Sequence, residues 1–315
     1  MLGRISILAA RAALIGSPAM GAAQAAPPQT APANSDIVVQ GTTSHAMDTY
    51  VRQMTAPGDR GQLARWNRAV CIRVINLDPP IAKAIESRIA DIGHQAGVEI
   101  ASKPCKANIL VIATTEPDGA VKQVRDNYPT LFRFRDNGDR PDADYQDLLK
   151  PLPVRWINGT ETLGADGAPM SSNSAAALGF AVDGVPVNDV QTPTSIDSST
   201  REDIALSIAI IDANKLQGIS TAQLADYLAM VVLGHPRFGA PFKGSTIMAM
   251  FADRDAGTAI PDTLTSMDRS LLKNLYSTVN LRPAERQRAS IEYRMRHPAP
   301  SSKPQIAPPD QAARH

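Results

Sequence analysis

The sequence is poor in the side chains that most often carry chemistry or bind nucleic acid. It has two cysteines and five histidines, and only 4% of its residues are aromatic. Platforms on which bases or sugars could stack are therefore scarce. The 32 basic and 31 acidic residues nearly cancel, and a near-neutral surface provides little attraction for a polyanion. We expect no nucleic acid partner.

Long apolar runs are also absent, which bears on the amino terminus. Arg4 precedes an apolar stretch that Arg11 interrupts, so the stretch falls short of the ~20 apolar residues of a membrane-spanning helix. Residues 23–25 are Ala-Gln-Ala, the A-x-A pattern of a signal-peptidase site. We predict a signal peptide over residues 1–25 and a periplasmic or secreted protein with no membrane span. The alternative is an amphipathic or disordered start on a cytoplasmic protein.

Composition separates a folded region from two polar ends. Residues 26–34 consist of Ala, Pro, Gln, Thr and Asn, which cannot bury enough apolar surface to fold. We predict a disordered tether over residues 26–43. Residues 297–315 are rich in proline and polar side chains, and we predict a disordered tail there. The intervening residues 44–296 are long enough to bury a core and are expected to form a globular domain.

The two cysteines are Cys71 and Cys105. In an oxidising compartment an even pair predicts a disulfide, whereas in the cytosol the same pair would indicate buried or redox-active thiols. Their spacing is far from the C-x-x-C of redox-active pairs. Export and a structural Cys71–Cys105 disulfide are therefore linked predictions.

The first half of the predicted domain alternates between helical and extended patterns. Apolar positions recur at helical spacing after Pro79, whereas residues 108–115 are apolar on both faces, as in a central strand. Strand, helix and strand in succession predict an α/β or α+β fold with a mixed sheet packed against helices. The expected elements are helices over 44–52 and 62–68, a strand over 70–75, a helix from Pro79, and strands over 108–115, 154–157 and 177–182.

The last third has the clearest pattern. Residues 222–233 are apolar on nearly all sides, which predicts a helix at the centre of the fold. Ser220 or Thr221 is expected to cap this helix, and Gly234 followed by Pro236 is expected to end it. The other expected elements are a polar approach with turn or cap residues at 198–200, a strand over 204–212, a short apolar element over 245–251, a helix opening at 264–268 and a helix over 283–296.

A strand, a turn, a buried central helix that ends at glycine, a short apolar segment and a final Asp-containing helix have the layout of a zinc metalloprotease core. In such a core the helix that corresponds to residues 222–233 carries H-E-x-x-H. That motif works because histidines four residues apart share one helix face and bind one zinc ion. Here the helix contains no histidine or glutamate. With Asp226 or Tyr227 in the first ligand position, the second falls on Met230 or Val231, and neither suits zinc in an exported hydrolase. We predict no metal and no cofactor.

Other catalytic patterns are equally absent. The sequence has no G-x-S-x-G and no Gly-rich phosphate loop after either clear strand. Asp212 and Asp268 could form a carboxylate pair, but an aspartate that closes a strand and one that begins a helix are the simpler interpretation. His235, the only histidine beside the central helix, is expected to be a helix-terminal or surface residue. No catalytic residue is predicted.

Several segments together resemble an exported bacterial family of unknown function. They are Ile211-Asp212-Ala213, Gly218, Leu224-Ala-Asp226-Tyr227-Leu-Ala-Met230, Ser245-Thr-Ile-Met248 and the Leu264 to Tyr276 pattern. The family is similar in layout to the zincin core of metalloproteases, and the zincin-like part would cover about residues 201–296. The resemblance implies export and a metalloprotease-like scaffold without an active site. It leaves Asp226, Tyr227 and Met230 as a possible ligand pocket at the degenerate site.

The function expected from the sequence is a non-catalytic binding or structural role in the cell envelope. The partner would be an envelope protein or a small ligand. The alternative is a peptidase-like hydrolase whose active site follows none of the known patterns.

Overall fold

The computed structural model describes residues 44–57, 61–132, 145–169 and 198–298. The predicted signal peptide and tether, most of the predicted tail and the strand expected at 177–182 lie outside these residues. The described helices are α1 (Ser44–Met54), α2 (Pro79–Ala96), α3 (Pro117–Asn127), α4 (Tyr145–Leu148), α5 (Thr221–Gly234), α6 (Met250–Asp255), α7 (Ser266–Ser277) and α8 (Ala284–Arg296). The described strands are β1 (Ile72–Ile75), β2 (Ile109–Thr114), β3 (Val154–Gly164) and β4 (Thr200–Asp212).

The four strands form one mixed sheet in the order β1-β2-β4-β3. β1 pairs with β2, and β2 with β4, in parallel, whereas β3 runs antiparallel to β4. The register aligns Val74 with Val111 and Thr114 with Asp212. β2 is therefore interior to the sheet, as its apolar pattern predicts. The fold is α+β, with a mixed four-stranded sheet packed against helices, and that part of the fold prediction is confirmed.

Helices cover both faces of the sheet. The larger apolar cluster joins one face, including Val111 and Ile211, to α1, α2, α5, α7 and α8. The smaller cluster joins the opposite face, including Ile208 and Ile210, to α3 and α4. Successive side chains of a strand point to opposite faces, so β4 contributes to both clusters and is buried almost throughout.

The central position expected for α5 is confirmed. Residues 223–234 of this helix are all buried. Ser220 caps its start, because its hydroxyl accepts from the Gln223 N–H while the Gln223 side chain accepts from the Ser220 N–H, a capping box. Gly234 is the last helical residue, and a Cβ there would lie only 3.1 Å from Met54 Cε. Glycine at this position therefore allows α1 to approach α5.

Three local predictions are wrong because long-range pairing overrides the local pattern. One of them is the end of β3, which extends to Gly164, beyond the expected residue 157, because it pairs with β4. Residues 62–68 are not helical, since Arg65 forms a β-bridge with Asp203 and its carbonyl accepts from the Ile204 N–H at 2.9 Å. β4 begins at Thr200, before the expected residue 204, because residues 200–203 pair with the end of β3. The register shifts between Gly159 and Thr160, a β-bulge that leaves Ala205 unpaired.

The predicted disulfide between Cys71 and Cys105 is present, with a Cα–Cα distance of 6.0 Å. It ties the start of β1 to the loop before β2 across 34 residues of sequence. Replacing both cysteines with serine is expected to lower the free energy of unfolding by about 2–4 kcal/mol, because the unfolded chain regains the entropy of an open loop. Urea denaturation measures this change.

A reducing agent provides the control for that prediction. Wild-type protein in reductant should match the double serine variant, and the variant itself should not respond to reductant. Equal stability of oxidised and reduced wild-type protein would contradict the prediction.

Candidate functional site

Asp226 lies near the middle of α5 and is 0% exposed. Its Oδ1 accepts from Arg88 Nε at 2.5 Å and its Oδ2 from Arg88 Nη2 at 3.0 Å, a bidentate ion pair with α2. Thr263 Oγ1 donates to Oδ2 at 2.6 Å and the Leu264 N–H at 2.7 Å. The carboxylate therefore links α5 to α2 and to the loop before α7.

These contacts keep Asp226 charged in the interior. Burial alone would raise the pKa of its carboxyl group, but hydrogen bonds from Arg88, Thr263 and the Leu264 N–H outweigh burial and lower the pKa below its usual value of 3.8. The hydrogen bond to Asp226 in turn raises the pKa of Arg88. The pair is a structural ion pair that remains charged over the physiological pH range.

Tyr227 and Met230, the other two residues of the predicted ligand pocket, are also enclosed by protein. Tyr227 is 6% exposed and packs edge-to-face on Phe251, with ring centroids 5.1 Å apart. Burial raises the pKa of its hydroxyl group. Met230 is 0% exposed and belongs to the larger apolar cluster. The structure therefore gives all three residues protein partners, which favours a scaffold role for them over the lining of an open pocket.

Asp268 is a second buried carboxylate, and it joins three parts of the fold. Its Oδ1 accepts from the Tyr50 hydroxyl at 2.7 Å and from Thr246 Oγ1 at 2.6 Å. Its Oδ2 accepts from the Ile247 N–H, the Thr265 N–H and Thr265 Oγ1 at 2.9–3.0 Å. Burial, followed by the charge of Asp268, raises the pKa of Tyr50 well above its usual value. Asp268 is also the third residue of α7 and forms a capping box with Thr265.

Asp212 and Asp268 have separate partners, as the simpler interpretation of the sequence predicts. Asp212 closes β4 and accepts from the N–H and the side-chain amide of Asn214, both at 3.1 Å. His235 is the residue after α5 and has a left-handed backbone, with φ of 54°. The prediction of a helix-terminal histidine is confirmed, but His235 is only 1% exposed and is not a surface residue. Its carbonyl accepts from the Ala56 N–H.

A cleft of about 550 Å³ opens at the edge of the sheet formed by the strand ends, next to the carboxyl end of β4. Asn214, Lys215 and Gln217 line it from the turn after β4, and Arg254 and Asp255 line it from the end of α6. The opposite wall consists of Pro151 and Pro153, which precede β3. We call this feature the edge cleft. Unlike the surroundings of Asp226, it is open and polar.

Sequence reasoning missed both the partner of Asp226 and the edge cleft. A carboxylate in an otherwise apolar helix is a signal, because buried acids require a partner. The signal cannot identify Arg88, which lies 138 residues away. Lys215 and Arg254 lie in distant stretches of sequence, and only the fold brings Arg254 Nη1 within 2.6 Å of the Lys215 carbonyl.

In residues 44–57, 61–132, 145–169 and 198–298, no three His, Cys, Asp or Glu side chains come together as metal ligands would. No helix in these same ranges has both the length and the apolar character needed to cross a bilayer.

The comparisons with known proteins gave no match. The chain matches no family model, no curated protein and no solved structure.

Proposed function

We propose that this chain is an exported, non-catalytic protein with a binding or structural role in the cell envelope. In this proposal the zincin-like part retains the layout of a metalloprotease but uses the ligand-bearing helix as scaffold. The observation that carries the proposal is the fourfold hydrogen bonding of Asp226 by Arg88, Thr263 and the Leu264 N–H. A carboxylate that is fully buried and held in this way is not presented to a substrate.

The proposed export has support from two features of different kinds. The amino-terminal residues carry the charge, apolar stretch and A-x-A pattern of a signal peptide. The Cys71–Cys105 bond is compatible with an oxidising compartment, where structural disulfides form and persist. Together these two features support a location outside the cytoplasm.

Fractionation of expressing bacteria tests the export. We expect the periplasmic fraction or the medium to contain a chain that begins at Ala26, as measured by intact mass. A full-length chain that begins at Met1 and remains in the cytoplasm would contradict the proposal.

Metal analysis and a cleavage assay test the non-catalytic role. The purified mature protein is expected to contain far less than one zinc per chain and to leave envelope peptides intact. A zinc peptidase purified through the same steps serves as the positive control for metal retention. Stoichiometric zinc, or specific cleavage of the peptides, would support the hydrolase instead.

A further inference from the structure

The edge cleft lies beside the position where sheets of this kind bind ligands, and the two share the turn after β4. Parallel strands in open α/β sheets leave a crevice outside their carboxyl ends, where neighbouring strands lead to opposite faces of the sheet. β2 leads to α3 in the smaller core, whereas the adjacent β4 leads to α5 in the larger core. The turn after β4 lies at this divergence and forms one side of the cleft.

Hydrogen bonds fix the turn that forms this side. The Asn214 side-chain amide donates to the Thr115 carbonyl at 3.0 Å and to Asp212 Oδ1 at 3.1 Å. The ends of β2 and β4 are thereby tied together. The Asp212 N–H also donates to the Pro153 carbonyl at 2.9 Å, which fixes the wall that precedes β3. The cleft is therefore formed by ordered backbone at the sheet edge.

The charged side chains of the cleft give it a positive balance. Lys215 and Arg254 contribute two positive charges and Asp255 one negative charge. All three nitrogens of the Arg254 guanidinium already donate hydrogen bonds, to the Asp255 carboxylate and to the carbonyls of Lys215 and Gln217. Lys215 Nζ donates to the Pro151 carbonyl at 2.6 Å and has two further hydrogens to offer. The Gln217 amide makes no hydrogen bond within the described part of the chain.

We propose that the edge cleft binds a small polar anion through Lys215, with a carboxylate or phosphate group as the part recognised. The volume of about 550 Å³ falls within the ~300–1,000 Å³ of small-molecule sites. Charge-assisted hydrogen bonds from an ammonium group suit either anion, and the Gln217 amide supplies a neutral donor beside it. This inference rests on the proposed binding function and specifies the chemical class of its ligand.

Titration of the mature protein with inorganic phosphate, and separately with succinate, tests this proposal. Two-dimensional NMR follows the resonances of Asn214 and Gln217 while each anion is added. Saturable shifts at these residues are expected for at least one anion. Shifts with phosphate alone would identify a phosphate-bearing ligand, and shifts with succinate alone a carboxylate; both results support the proposal. The absence of saturable shifts with either anion would overturn it.

Three variants separate a specific site from general charge attraction. Lys215→Met is expected to weaken anion binding by about tenfold or more, the effect of a lost charge-assisted hydrogen bond. Lys215→Arg should bind within about threefold of wild type because the charge is kept. Lys243→Met is the matched control, since Lys243 is an exposed loop lysine that does not line the cleft. Equal weakening by Lys215→Met and Lys243→Met would overturn the proposal.

The outcomes for the edge cleft and for the proposed function are distinguishable. Zinc or peptide cleavage in the purified protein would overturn the non-catalytic role without altering phosphate or succinate binding at Lys215. Failure of both anions to bind would contradict the proposed anionic ligand and leave the metal and export results unchanged.

Discussion

Replacing Asp268 with asparagine is expected to lower the free energy of unfolding by about 3–5 kcal/mol, since each buried group left unsatisfied costs about 1–3 kcal/mol. The carboxylate accepts five hydrogen bonds, three of them at Oδ2. An asparagine amide has one oxygen, so its NH₂ group would face the N–H groups of Ile247 and Thr265 or leave the Oδ1 donors unpaired. Because Asp268 is 0% exposed, water cannot replace the lost acceptor.

The size of this effect depends on what the carboxylate joins. Tyr50 belongs to α1, Thr246 and Ile247 lie before α6, and Thr265 caps α7. Within the described residues, Asp268 forms no ion pair, so hydrogen bonds alone stabilise its charge. Loss of either oxygen therefore weakens two of these three connections at once, which is why the effect exceeds that of an ordinary surface substitution.

Urea denaturation followed by circular dichroism measures the Asp268→Asn effect. Tyr50→Phe is the matched control, because it removes one donor and leaves the carboxylate in place. This control is expected to cost about 1–2 kcal/mol. If Asp268→Asn proves no more destabilising than Tyr50→Phe, the five-donor arrangement does not contribute to stability as inferred.

Replacing Asp226 with asparagine is expected to lower the free energy of unfolding by about 2–4 kcal/mol at neutral pH. Breaking a buried ion pair typically costs about 3–5 kcal/mol, and the partial exposure of the Arg88 guanidinium reduces that value because water can solvate it. Asp262→Asn is the matched control, since Asp262 is an exposed carboxylate close in sequence to Thr263. It should change stability by no more than about 0.5 kcal/mol.

The pH dependence distinguishes lost charge from altered packing at Asp226. Its folded-state pKa is lowered from the usual value of 3.8, so the folded state favours the charged form. The stability that this preference contributes is complete above the unfolded-state pKa and is lost as pH falls through the folded-state pKa. The difference between wild type and Asp226→Asn should therefore be full at neutral pH and shrink below about pH 4. An unchanged difference in acid would contradict the ionic explanation.

Much of the secondary structure could be predicted because its causes are local. Helix α5 follows from its apolar composition and from the Ser220 cap, and α7 begins at Thr265 where its capping residues occur. β2 follows from six successive residues that suit a buried strand. Burial preference and short-range hydrogen bonding act over a few residues, so these elements can be predicted from the sequence. The disulfide also followed, because only two cysteines are present.

The tertiary structure alone decided which distant groups meet. Residues 62–68 form an irregular segment because the backbone of Arg65 pairs with Asp203 of β4. The sequence around residue 65 contains no pattern that predicts this bridge. The sequence led to the prediction of a degenerate zincin-like site at Asp226, whereas the packing of α2 against α5 supplies Arg88 as the partner of that carboxylate. The edge cleft likewise depends on the antiparallel pairing of β3 with β4, which brings Pro153 to the turn after β4. Local patterns determined whether a segment forms a helix or a strand. Long-range pairing and charge neutralisation determined which partners each buried polar group contacts.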